Sequence, residues 1–513
     1  MNKRHFGPIG YGLSAILGLA MSIALPVQAQ DGETQPRERT NLDPRAKRIL
    51  EVMAPGKEAF RLEDSMLRWP LPPGEERYGR IDGQKLKPYV DELAQLSRDY
   101  RDEGNQYWGR IMGTSVDLIG AEWLASHYRR LGLSNVRLQP FDVPTTIMPK
   151  QWSVDIAGSG TRTSLASALP IARFSADPIK ASAEAVYVGL GEAADFMGRD
   201  VKGKAVFIYA IPEPSSFFTS AALNGAVTRA ENAGASAVFI IFGLPGNITG
   251  HLLIETQKIP AFVIGKEDGD RVRERIESGK TSIDYSLVTE TRSDLKTYQV
   301  WGELPGESDE TIYVLAHRDG YFEAGLDNAS GVATMLGLAE YYAAVPQKDR
   351  RRKMIFVGTP GHHDPNYLGT AWMHDNREQV FAKTALLINA EHTAYVEASD
   401  FLGKLRPSNA IPPYNWYVGG SKKMVDISWM AFREFGVPLL AQPDGHAPGE
   451  VGKIWRDAPM VQIISGAWPY HSSADTADII PATGLEASTR AYAKIIDEVN
   501  KHDLADLRSD PRP

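Results

Sequence analysis

Four short stretches of the sequence offer histidine and carboxylate in combinations that can bind a divalent cation or move a proton. His317 and Asp319 close the apolar run 312–316, and Asp327 follows in a Gly-containing loop. His362, His363 and Asp364 follow the run 354–359, Glu391 and His392 follow 385–389, and His471 comes after 460–464. Imidazole with carboxylate is the donor set that a zinc-like ion takes. An Asp two residues after a His can accept the second ring N–H and fix the tautomer. The chain contains no cysteine, so a thiolate ligand or nucleophile is excluded. A zinc ion would be held by His, Asp and Glu alone, which suits a catalytic site better than a structural one. A single His-x-Asp pair carries little weight; four strand ends bearing such residues carry much more.

The elements that must position these residues alternate along the chain. Strands at 312–316, 354–359, 385–389 and 460–464 are interleaved with helices at 331–344, 367–375 and 424–434, and a last helix runs over 485–501. Alternation of this kind implies a doubly wound, mostly parallel sheet with right-handed crossovers. Such sheets gather their ligands at the C-terminal ends of the strands. The α/β pattern opens with helices at 86–100 and 116–131 and a strand at 136–141. Between about 165 and 287 the character changes to short apolar strands around one Ala-rich helix at 220–235. This segment reads as a self-contained β-rich insert in a domain formed by 56–164 and 288–513. His251, alone on a loop of that insert, and His127, on the 116–131 helix, are read as structural.

Composition bounds the function. The 513 residues are 43% hydrophobic and 23% charged, the balance of a globular protein. A formal charge of -8 argues against a nucleic-acid partner. Lys3 and Arg4, an apolar stretch over 9–25 and the small-x-small site Val27-Gln28-Ala29 describe a signal peptide at 1–29. The expected product is exported, periplasmic or extracellular, with a polar arm at 30–55 and no membrane span once the leader is removed.

His317-Arg318-Asp319, Asp327-Asn328-Ala329-Ser330-Gly331, Glu391 and Tyr470-His471-Ser472-Ser473-Ala474-Asp475-Thr476 resemble, in order and interval, the zinc aminopeptidases of peptidase family M28. The insert resembles the protease-associated (PA) domain often found within that family. The resemblance implies two zinc ions bridged by Asp327, with one a possible alternative. His317 and Glu391 would complete one ion, Glu391 standing where the family usually has Asp. His471 would help hold the other, and Asp319 would orient His317. Two ions about 3.5–4 Å apart can polarise a carbonyl and hold a hydroxide nucleophile between them.

The family's Glu-Glu pair, general base then ligand, reads His362-His363 here. Counted forward from the strand, His362 takes the base position and His363 the ligand position; counted back from Gly369-Thr370, His363 and Asp364 take them. Imidazole can serve as a general base near neutral pH. His446, in the turn Asp444-Gly445-His446-Ala447-Pro448, and His392 and Asp364 are candidate substrate contacts, and Tyr395, Tyr414, Trp416, Tyr417 and Trp468 candidate cleft walls. The function implied is an exported amide or peptide hydrolase, aminopeptidase-like, acting on a peptide or N-acyl amine. A deacylase or cyclotransferase on the same scaffold, or a degenerate member that binds peptides without cleaving them, is the alternative.

Overall fold

Runs of apolar residues, many β-branched or aromatic, build a seven-stranded sheet: β1 (Ser134–Val143), β2 (Leu295–Leu304), β3 (Ser308–His317), β4 (Arg352–Thr359), β5 (Thr384–Ala390), β6 (Asn415–Gly419) and β7 (Met460–Ile464). The spatial order is β6-β7-β5-β3-β4-β2-β1. β4, β3, β5 and β7 are parallel neighbours, whereas the pairings at both margins are antiparallel. The expected parallel sheet is therefore its central four strands. The computed structural model describes residues 70–508 apart from 158–161, 172–176, 214–215, 254–257, 409, 441–442 and 444–445. The leader and arm expected at 1–29 and 30–55, and Asp444-Gly445, lie outside the described residues.

β5 is buried at every position, as a strand covered on both faces must be. Alternate residues sort to the two faces. Ile312, Val314 and Ala316 of β3 pack with helices α1 (Gly83–Asp102), α2 (Ser115–Arg130), α3 (Ser330–Ala343), α5 (Lys422–Glu434) and α6 (Ala482–Val499). Tyr313 and Leu315 face the opposite layer, which includes Met373 of α4 (Leu368–Asp375) and Ile454. Asp82 caps α1 by accepting from the Gln84 N–H at 3.0 Å. α3 is buried almost all round, so its start, one residue past Ala329, is held firmly behind the Asp327 loop. Gly331 is required there: a Cβ would lie 2.0 Å from the Ala390 carbonyl.

A second, eight-stranded sheet stands beside this domain. Its strands Ile179–Tyr187, Ala205–Ala210, Ala237–Phe242 and Ala261–Gly265 run parallel around their own apolar core. Thr146–Ala157 and Ser282–Arg292 pair antiparallel within it, so its strands reach past the 165–287 segment on both sides. Helix Lys266–Ser278 was not legible because it buries only Asp268, Gly269 and Val272 and so lacks an apolar stripe. Among the described residues, no helix is long and apolar enough to cross a membrane.

Candidate metal centre

β3 delivers His317 to the C-terminal rim of the sheet, and the chain then turns through Gly320–Tyr321 to Asp327. Two buried anchors shape this loop. The Arg110 guanidinium donates to the carbonyls of Leu93, Arg318, Glu323 and Ala324 and to Ser97 Oγ. The Asp475 carboxylate accepts from the Leu326 N–H at 2.6 Å and the Asp327 N–H at 3.1 Å. Arg318 turns away from the site into a buried ion pair with Asp117, Nη1 to Oδ1 2.5 Å. Asp327 is thus held by backbone contacts on both sides, with its carboxylate aimed at the rim.

Four imidazoles converge on that carboxylate. Nε2 of His317 lies 3.1 Å and Nε2 of His392 3.4 Å from Oδ1. Nε2 of His363 lies 3.1 Å and Nε2 of His471 3.2 Å from Oδ2. Each ring has its other nitrogen anchored. Nδ1 donates to the carbonyl of Asp319 in His317 (3.1 Å), of Ser465 in His392 (2.8 Å) and of His251 in His471 (3.2 Å), and in His363 to Asp319 Oδ2 (2.9 Å). A carbonyl only accepts, so Nδ1 carries the proton in the first three, and their Nε2 atoms face Asp327. The Nε2 atoms of His317, His392 and His471, and Asp327 Oδ1, are buried with no hydrogen-bond partner.

Protons satisfy part of this arrangement. Burial opposes charge on His317, as does the neighbouring His362 ring, yet Asp319, Asp327 and Glu450 hold its pKa up at about 10. His363 is similarly raised, to about 9, by Asp327 and Asp319 against its burial. His471 is brought down to about 4, chiefly by burial, so it faces Asp327 at neutral pH with a lone pair. Buried nitrogen lone pairs aimed at a buried carboxylate repel it, unless a cation stands between. The donor set fits zinc on this ground.

The remaining residues flank the centre. Glu391 Oε1 lies 4.0 Å from His317 Nε2 and 3.7 Å from His362 Nε2 and has no hydrogen-bond partner. Its other oxygen accepts from Asn389 Nδ2 at 2.8 Å and Gln462 Nε2 at 3.2 Å. Burial and the adjacent Glu450 push the Glu391 pKa well above the usual carboxylate range. His362 stacks on His317 with ring centroids 4.0 Å apart, and its Nδ1 makes a short contact to Glu450 Oε2. Asp319 accepts from the backbone N–H groups of both His362 and His363. Groups able to hold an ion among the described residues are His317/Asp327/His362, His317/Asp319/His363, Asp327/His363/His471 and His362/Glu391/Glu450.

Asp364 is not among them. It accepts from the Asn366 N–H at 2.9 Å and lines the cleft. His446 is exposed, edge-on to Trp455 at 5.6 Å, and does not line the cleft; Pro448 and Gly449 of the same turn do. Tyr395, Tyr414, Trp416 and Tyr417 are core residues rather than cleft walls: β6 is a covered strand that sends Trp416 and Tyr417 into opposite packed layers, and Tyr395 and Tyr414 join the Trp416 layer. Trp468 is half-buried against both cores. Sequence reasoning missed Glu450, whose only signal is its place just after Pro448-Gly449, in the first turn of the short helix Gly449–Lys453.

Two cavities meet at His363. One, about 590 Å³, is walled by Phe217, Leu252, Leu253, Tyr367, Ile464 and Tyr470; the smaller, about 140 Å³, by Ile111, Met112, Val143, Met148 and Pro149. Both are mainly apolar around a charged floor, the character of a small-molecule site.

Residues 299–496 match the family model for peptidase family M28. No curated protein matches the chain. Among solved structures, it is similar to a peptidase M28 precursor from Shewanella amazonensis (18% identity, 84% of this chain and 100% of that one, TM-score 0.62). It is also similar to a zinc aminopeptidase from Bacillus subtilis (19%, 86% and 99%, TM-score 0.58) and to an aminopeptidase from Aneurinibacillus sp. strain AM-1 (19%, 85% and 96%, TM-score 0.51). Residues 299–496 are thus similar to peptidase family M28, and they sit on a sheet with the zinc-aminopeptidase-like fold.

Proposed function

We propose that this chain is a zinc-dependent hydrolase of peptide or related amide bonds, aminopeptidase-like in its chemistry. The supporting observation is the division of four Nε2 atoms between the two oxygens of Asp327. Asp327 would bridge two ions, with His317 and Glu391, joined by His392, on the Oδ1 side and His363 and His471 on the Oδ2 side. His363 rather than Asp364 takes the second ligand position in this reading, since its ring points at Asp327 and the Asp364 side chain does not. When bound, zinc polarises the scissile carbonyl and lowers the pKa of water.

The chain's own residues do the rest. Asp319 orients His363 through Oδ2 and accepts the N–H groups that set the 362–363 turn. Glu450 takes the Nδ1–H of His362, leaving Nε2 to carry a proton toward the departing amine, as an orienting carboxylate does for a catalytic imidazole. The apolar cleft walls hold the substrate and exclude water from the buried charges. Residues 1–29 fit an export leader, and N-terminal sequencing of the mature protein should begin at Gln30.

Chelator treatment tests the reading. Metal-free protein should remain folded and lose hydrolysis of amino-acid naphthylamides or N-acyl amino acids, and added zinc should restore it. A protein that takes up no metal overturns the proposal; zinc uptake without hydrolysis of either class leaves a peptide-binding member of the family. Glu450→Gln should lower kcat about 10- to 100-fold, the range for losing an orienting partner, with KM and metal content unchanged. A drop in metal content instead would make Glu450 a ligand.

A further inference from the structure

The loop 249–251 belongs to the second sheet's domain, yet it runs antiparallel to the loop that carries His471. The Ser473 N–H donates to the Thr249 carbonyl at 2.8 Å and the His251 N–H to the His471 carbonyl at 2.7 Å. The Thr249 N–H reaches Ser473 Oγ at 3.2 Å, and Gly250 pairs with Ser472 as a β-bridge. The His251 carbonyl then accepts Nδ1–H of His471. The His251 side chain locks the loop in place, its ring stacked on Tyr321 at 4.0 Å and edge-on to Tyr107 at 5.0 Å. Tyr321 in turn meets His363 and His471.

We infer that the inserted domain is a structural part of the metal centre: the His251 carbonyl fixes the tautomer and direction of His471 and thereby sets the affinity of the ion on the Asp327 Oδ2 side. Among the rings on Asp327, His471 alone takes its anchor from the insert; His317 and His363 are held by Asp319 and His392 by Ser465, all in the main domain. Loosening the insert should therefore weaken one ion and spare the other. Thr249, Gly250 and His251 act as positioning residues, through backbone groups. The inference rests on the zinc-centre reading above.

Two measurements test it. Gly250→Val places a Cβ 2.8 Å from the His471 carbonyl and 3.1 Å from Ser472, prising the loops apart. Zinc titration of the metal-freed variant by calorimetry should show one equivalent bound as in the parent and the second about 10- to 100-fold weaker. Activity should return at excess zinc, which a merely misfolded protein would not show. Leu223→Ser, on the insert's exposed surface, should leave both equivalents unchanged. Equal affinities in Gly250→Val and parent overturn the inference. Independently of any variant, long-range proton–nitrogen spectra of the histidine-labelled parent should show His471 with its proton on Nδ1; a proton on Nε2 overturns it as well. A parent protein that binds no zinc at all refutes the zinc-centre reading instead, a result distinct from both.

Discussion

If Asp327 bridges two ions as proposed, Asp327→Ala should remove both, and turnover with them. One carboxylate serves both sides of the centre, with His317 and His392 on one oxygen and His363 and His471 on the other, so no single-ion remnant keeps a complete donor set. Metal assistance is worth several kcal/mol of barrier, and each 1.4 kcal/mol is tenfold in rate; kcat/KM should fall roughly 10³-fold or more. Elemental analysis of the purified variant, beside its kinetics, checks both halves. The fold should survive, because the loop is anchored through the backbone of Leu326 and Asp327 by Asp475. Two equivalents of zinc retained in Asp327→Ala would remove the bridging role.

Asp117→Ala should cost stability rather than chemistry. Asp117 and Arg318 are both buried and meet at 2.5 Å. Removing one member strands the other charge, at roughly 3–5 kcal/mol. Arg318 keeps three backbone-directed bonds, to the carbonyl of Asp117 and twice to that of Tyr298, but these do not neutralise it. The urea midpoint should drop with the slope unchanged. The double variant Asp117→Ala/Arg318→Met should recover much of the loss, since an apolar pair leaves no stranded charge. A loss below about 1 kcal/mol for the single variant, the scale of an exposed pair, would mean that water reaches the guanidinium.

Much of this centre could be read directly from the sequence, for a physical reason. In a parallel sheet the strands that carry ligands are buried on both faces, so they appear as unbroken apolar runs, and the first polar residues after each run are at the rim. His317, His362, His363 and Glu391 all stand in that position. β6 escaped notice because Asn415-Trp416-Tyr417-Val418-Gly419 is short and polar at its start. Glu450 escaped because it reaches the site from a turn with no strand ahead of it. His392 was ambiguous because strand alternation would send it away from Glu391. The backbone at His392 is left-handed, with φ 49°, and the alternation ends there, so His392 reaches Asp327 while Glu391 faces His317 and His362. The anchoring of His471 could not be read at all, since a main-chain carbonyl leaves no mark on residue type.

The antiparallel margin of the main sheet has a mechanical consequence. β1 pairs with β2 as far as Val143 opposite Leu295, and the same two chain segments pair again from Thr146 opposite Arg292 into the second sheet. Both crossings between the domains thus travel side by side in one nearly continuous two-stranded ribbon. Such a ribbon resists swivelling, because rotation about its length would break ladder bonds on one side or the other. It yields far more easily to flexing across its width, at Pro144-Thr145 and Ser293-Asp294. Whatever breathing the cleft undergoes is therefore confined to a jaw-like opening along a single direction.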